Sequence, residues 1–142
     1  KRVLGSGMPL TLVGLDVTRR TLLCRDDLKR WQAIGTPAAH KLTAAVGSYL
    51  AAYAERYPYL AGCALHDPLA VGAALHPEWL TLLPMHITCV TEGEADGRTC
   101  EDLNRLTDES YTTMAAFKVD AKAFEKHFYT TVEKQLKEEK NG

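Results

Sequence analysis

Leu65-His66-Asp67-Pro68-Leu69-Ala70 sets an imidazole, a carboxylate and a proline side by side in a chain of 142 residues. Proline fits the first position of a helix, where its missing N–H would have no partner in any case. The spacing therefore predicts a helix over Pro68 to Leu75, with Asp67 at the N-cap and His66 just outside it. Taken alone, this is a capped helix entrance. It is also a rigid mount for two polar side chains, as a binding or catalytic pair requires.

Working outward, the pattern is mixed. Lys1-Arg2-Val3-Leu4 reads as the end of a helix, and Gly5 and Gly7 as its stop and turn, so the chain is expected to be part of something longer. Leu10 to Leu15 is a short apolar run between Pro9 and Asp16 and predicts a buried strand. Asp26 to Ile34 predicts a short helix. Thr36-Pro37 is a second N-cap and first-turn pair. It opens a long helix from about Ala38 to Tyr57 with Leu42, Ala45, Val46, Tyr49 and Tyr53 on one face. His76-Pro77 starts a further helical turn. Met85 to Thr91 alternates like a strand, Gly93 to Gly97 is turn chemistry, and Arg98 to Glu101 reads as the returning strand of a β-hairpin, placing a hairpin over 85–102. Thr112 to Val119 is another strand. Asp120 caps a last helix with Phe124, Phe128, Val132 and Leu136 on its apolar face and a solvated polar end at Lys134 to Lys140. Strands alternating with helices predict an α/β fold.

Composition narrows the classes. Hydrophobic content is 46% and charged content 25%, ordinary values for a globular domain. A net charge of −1 gives no electrostatic case for nucleic acid or an anionic membrane as partner. Apolar runs such as Leu69 to Leu75 fall far short of a membrane span. Cys24, Cys63, Cys89 and Cys100 show no zinc spacing with the histidines. With no stretch reading as a secretory leader, reduced thiols in a cytoplasmic protein are expected. His40, His76, His86 and His127 have no metal spacing among themselves and are expected in the core or on the surface. Asp16 and Thr18, at a strand end, suit a turn or capping role, with a pocket lining as the alternative.

The order of these pieces carries a resemblance. Gly14-Leu15-Asp16-Val17-Thr18 ends a strand. A long helix follows, then Ala64-Leu65-His66-Asp67-Pro68-Leu69-Ala70-Val71 with Pro77-Glu78 close behind. Gly97-Arg98-Thr99 follows a strand, and Lys118-Val119-Asp120 joins a strand to the helix carrying Phe124 and Phe128. Along nearly its whole length the chain resembles the C-terminal half of the inosine–uridine-preferring nucleoside hydrolases, with His-Asp-Pro-Leu-Ala as the specific part.

The resemblance implies the C-terminal half of an open, mostly parallel sheet flanked by helices, residues 1–142 being part of one such domain. It implies hydrolysis of the N-glycosidic bond of ribonucleosides to ribose and free base. It implies a calcium ion at the C-terminal ends of the strands that positions the ribose hydroxyls and the attacking water. In it His66 matches the general acid and Asp67 a calcium ligand. Tyr49 and Tyr53 lie on the helix from which base contacts come, although a core stripe continued by Tyr57 accounts for them equally well. Homo-oligomers, dimers or tetramers, are implied too.

The chemistry suits those residue types. Cleavage passes through an oxocarbenium-like state, a departing base is a poor anion, and histidine is a fitting acid near neutral pH. Calcium takes hard carboxylate oxygens, six to eight in all. The family's Asp-rich N-terminal signature, which supplies most of those oxygens and the water-activating base, has no counterpart here; Asp26-Asp27 is the only acidic doublet near the start. The missing N-terminal half of the same protein is thus an expected partner, beside the ribonucleoside. Two readings follow: the acid side of a nucleoside N-ribohydrolase, or a piece that folds and serves only as a binding or assembly module.

Overall fold

The computed structural model of the chain describes residues 1–138, an α/β arrangement. Strand β1 (Leu10–Leu12) leads into a one-turn helix α1 (Leu15–Thr18), then β2 (Leu22–Leu23), α2 (Arg25–Gln32) and the long α3 (Pro37–Arg56). Next come β3 (Cys63–Ala64), α4 (His66–Leu75), a 3-10 turn (Pro77–Trp79), β4 (Leu80–Met85), β5 (Ile87–Cys89) and β6 (Thr99–Glu101). A second 3-10 turn (Leu103–Arg105), β7 (Thr113–Val119) and α5 (Ala121–Glu138) complete the order. The polar end expected at Lys134 to Lys140 passes beyond Glu138, and there lies outside the described residues.

The main sheet is mixed rather than mostly parallel among the described strands. Central β7 pairs parallel with β1 and antiparallel with β4. The register against β4 shifts between Thr81 and Leu82, leaving Phe117 as an extra residue on β7. Among the described strands β4 has β7 as its one partner, so Pro84 interrupts no second ladder there. The expected hairpin is present as β5 and β6, closed by Val90 N–H to Arg98 O at 2.9 Å and Gly97 N–H to Val90 O at 2.9 Å. The expected strand over Met85 to Thr91 is divided at His86. That residue is buried, accepts from Asp102 N–H at 2.8 Å and donates from Nε2 to the Asp108 carbonyl at 2.9 Å, so the chain turns there into the hairpin.

Helix ends follow local chemistry. Thr36 caps α3 by accepting from Ala39 N–H at 3.2 Å, while its own hydroxyl donates to Leu136 O at 2.9 Å. A cap of this kind is worth about 1 kcal/mol. Asp120 caps α5 by accepting from Ala123 N–H at 3.0 Å. The Leu10 to Leu15 run is a strand for its first three residues only. Val17 and Thr18 N–H both bond to Gly14 O, at 3.1 and 3.0 Å, so the chain coils into α1 instead of extending.

Packing is one-sided. Ala116 of β7, Leu69 of α4 and Phe124 of α5 belong to a common core, with Leu80, Leu82 and Val119 packed against it. Gly72 lets α4 and α5 meet: a Cβ there would stand 3.1 Å from the Phe124 ring and 3.2 Å from Trp79. The opposite side of the sheet is open. Leu83, Ala115 and Phe117 share with Leu12 and Leu15 a depression of about 820 Å³, and Leu15, Leu83 and Phe117 are 56%, 41% and 53% exposed. No helix among the described residues is long and apolar enough to cross a membrane.

An apolar sheet face of this extent invites association. The chain is expected to self-associate as its concentration rises, and Leu83→Lys with Phe117→Lys to suppress it. Light scattering checks this; a monodisperse wild-type chain at all concentrations overturns it.

Candidate active site

The two-residue ladder of β2 and β3 brings distant segments together. Leu22 pairs with Ala64 and Leu23 with Cys63, antiparallel. The approach is close enough that a Cβ on Gly62 would run into the Leu23 carbonyl. One residue farther along, Leu65 N–H bonds to Thr21 O at 3.0 Å. This docks the start of α4 against the end of α1.

Helix α4 begins earlier than its sequence suggests. Leu65 is the N-cap, and its carbonyl accepts from Leu69 N–H at 3.0 Å. His66 and Asp67 are the first two helical residues, and Pro68 is the third. Proline costs nothing there, because the first N–H groups of a helix have no intrahelical acceptor. Asp67 is therefore a first-turn carboxylate and not the cap.

Both nitrogens of the His66 ring have neighbours. Thr18 Oγ1 lies 2.7 Å from Nδ1, and Tyr53 Oη 3.4 Å from Nε2. Thr18 and Tyr53 are buried, and His66 is half-buried between them. Tyr53 sits within a row of rings, 5.6 Å from Tyr49 and 4.7 Å from Tyr57 by centroids. The two tyrosines singled out from the sequence thus divide. Tyr53 is a core residue with its hydroxyl at the imidazole, whereas Tyr49 is 48% exposed. Tyr49, His66 and Asp67 share a cavity of about 380 Å³ with Leu42, Val46 and Phe128. Burial, then the neighbouring Tyr53, Cys63 and Asp67, push the Tyr49 phenol above its usual range, so it stays a neutral hydrogen-bond donor.

Asp67 is exposed, and its carboxylate has no hydrogen bond or ion pair among the described residues. No group of three or more His, Cys, Asp or Glu among those residues is arranged to hold a metal ion. The described residues therefore do not by themselves fit calcium. Asp67 can give one oxygen to an ion whose other ligands come from elsewhere.

Thr18, for which pocket lining was the alternative to a turn or cap, sits on the imidazole. One neighbour of the site carried no signal in the sequence. Arg19 lies over the Tyr57 ring at 5.1 Å, with its buried Nε lacking a hydrogen-bond partner. The remaining histidines stand apart. His76 stacks on Trp79 at 4.2 Å with His127 at its edge, His86 holds the hairpin base, and His40 is exposed on α3.

With this geometry in view, the chain can be set beside known proteins. The sequence profile of the inosine-uridine preferring nucleoside hydrolases matches residues 1–126. A pyrimidine-specific ribonucleoside hydrolase RihA from Klebsiella pneumoniae is 31% identical over 123 residues, covering 86% of this chain and 40% of that protein. The chain thus spans well under half the length of the curated relatives it matches. Among solved structures, a purine-preferring ribonucleoside hydrolase from Gardnerella vaginalis superposes with a TM-score of 0.88 at 39% identity, over 95% of this chain and 43% of that one. The plant nucleoside hydrolase PpNRh1 shares the fold, with a TM-score of 0.77 at 21% identity over 95% of this chain and 43% of that one.

A lone carboxylate sets an expectation for metal. Isothermal titration of the 142-residue chain with calcium should show no tight binding. Micromolar affinity would require a cage that Asp67 does not form with its described neighbours.

Proposed function

The chain belongs to the inosine-uridine preferring nucleoside hydrolase family, and on that premise we propose that it carries the leaving-group side of a ribonucleoside N-ribohydrolase. The observation that supports this most is the placement of His66. Its ring is held between Thr18 and Tyr53 and borders the same cavity as Tyr49 and Asp67.

In this reading His66 is the general acid. Breaking the N-glycosidic bond leaves positive charge on the ribose and negative charge on the departing base. A proton delivered to the base as the bond stretches removes the second charge, a contribution of ~10²–10⁴ in rate. The Tyr49 phenol, exposed at the cavity and held neutral, would donate to the base edge. Tyr53 would act through the imidazole, since its hydroxyl lies there and its ring is buried.

Calcium would supply positioning of the ribose hydroxyls and polarisation of the attacking water in the whole enzyme. Asp67 would be one of its ligands. The other ligands and the water-activating base are assigned to protein outside residues 1–142, which would also cover the open face of Leu15, Leu83 and Phe117. A whole enzyme of this kind would work as a dimer or tetramer in the cytoplasm. Relatives named for pyrimidine and for purine nucleosides both align here, so the proposal is made for ribonucleosides as a class.

In the whole enzyme, His66→Ala should slow inosine hydrolysis by roughly 10²–10⁴ while costing p-nitrophenyl riboside little, because nitrophenolate leaves without a proton. Asp67→Ala should slow both substrates alike, since weakened ribose positioning is indifferent to the leaving group. Steady-state rates on the two substrates check this. Equal losses for His66→Ala on both would remove the general-acid assignment.

A further inference from the structure

We propose that Thr18 is the positioning residue for His66: its buried hydroxyl donates to Nδ1 and so keeps the neutral ring's proton on Nε2, the nitrogen beside Tyr53. The functional meaning of this rests on the general-acid reading of His66, but the geometry stands independently of it.

Donor counting fixes the direction of the bond. Thr18 is 2% exposed, and its Oγ1, 2.7 Å from Nδ1, has no other hydrogen-bond partner among the described residues. Were Nδ1–H the donor, the hydroxyl hydrogen would be buried without an acceptor. When the hydroxyl donates to a bare Nδ1, that hydrogen is satisfied, and the ring N–H falls on Nε2. Nε2 then points its proton toward Tyr53 Oη, 3.4 Å away.

The contact is anchored at both ends by one residue. Thr18 N–H bonds to Gly14 O at 3.0 Å, and the Thr18 carbonyl accepts from Thr21 Oγ1 at 2.9 Å. Thr21, 0% exposed, accepts in turn from Leu65 N–H at 3.0 Å, next to His66 itself. The hydroxyl and the imidazole are thus tied to a common buried threonine. The ring cannot turn Nδ1 away from Thr18 without breaking that bond. In the general-acid reading the acid form carries a proton on each nitrogen. Giving up the Nε2 proton leaves Nδ1–H, with Thr18 Oγ1 turned to accept from it. The Thr18 contact thus serves by holding the ring in one orientation through the step.

Long-range 1H–15N NMR of the imidazole in the 142-residue chain, at one alkaline pH where the neutral ring dominates, tests the inference. The wild type and Thr18→Ser should show the Nε2–H tautomer. Thr18→Val should raise the Nδ1–H population several-fold, while Tyr53→Phe leaves the wild-type tautomer in place. An Nδ1–H wild type, or an unchanged Thr18→Val spectrum, overturns the inference. Should Thr18→Val fail to fold, the wild-type and Thr18→Ser spectra decide: Nδ1–H in either overturns it, and Nε2–H in both supports it. In the whole enzyme, Thr18→Val should slow inosine by on the order of 10- to 10²-fold with little effect on p-nitrophenyl riboside. If the spectra come out as expected and that selective loss is absent, the general-acid reading fails while the Thr18 contact stands.

Discussion

The candidate site depends on one short piece of backbone pairing. Two rungs between Leu22–Leu23 and Cys63–Ala64, extended by Leu65 N–H to Thr21 O, hold α1 against the entrance of α4. Thr18 and His66 are 48 residues apart in sequence, with all of α2 and α3 between them. Such a short ladder cannot hold a loop of that length closed by itself. It is held by burial on either side. Leu23, Cys63, Ala64 and Leu65 all belong to the main core, as does Trp31 from α2. A third tie comes from α5, where Tyr129 Oη donates to Leu22 O at 2.9 Å and to Asp27 Oδ2 at 3.0 Å. Local geometry at the imidazole therefore rests on the packing of three helices.

Features set by neighbouring residues were the ones legible in the sequence. Thr36-Pro37 and Asp120 each name a helix start through an oxygen that accepts from an N–H three residues on, and both helices begin there. The hairpin was readable because Gly93 and Gly97 adopt positive φ of 77° and 85°, which only a glycine enters without strain. Features set by distant partners were not readable. Strand β4 runs through Leu80–Met85 with Pro84 inside it, a composition that argues against a strand until β7 is known to flank it on one side alone. The mixed sense of the sheet and the division at His86 have the same origin, being fixed by where β7 and Asp108 lie in space.

The site shows the same split. His66 and Asp67 stood out because they precede a proline in a recognisable order. Thr18 did not, since a threonine after a short apolar run usually serves a turn. Its role exists only once Thr21 bridges to Leu65. Tyr49 and Tyr53 looked equivalent, one helical turn apart. Yet a helix face turns by some 40° over four residues. Here that is enough to bury one ring beside the imidazole and leave the other at 48% exposure.

The electrostatics of the α4 entrance explain why a single carboxylate there does not make a site for a divalent cation. A helix N-terminus carries about half a positive charge on its free N–H groups, and a cation nearby is repelled by it. Asp67, in the first turn, offsets that partial charge and has little left over for a divalent ion. A cation becomes stable here only when further carboxylates add to Asp67. The same arrangement suits the imidazole well. Its Nδ1 is capped by the buried Thr18 hydroxyl, and the acidic side chain next to it offsets the partial positive charge of the helix end. Within the described residues, then, the helix entrance fixes the setting of an imidazole and does not by itself hold a metal.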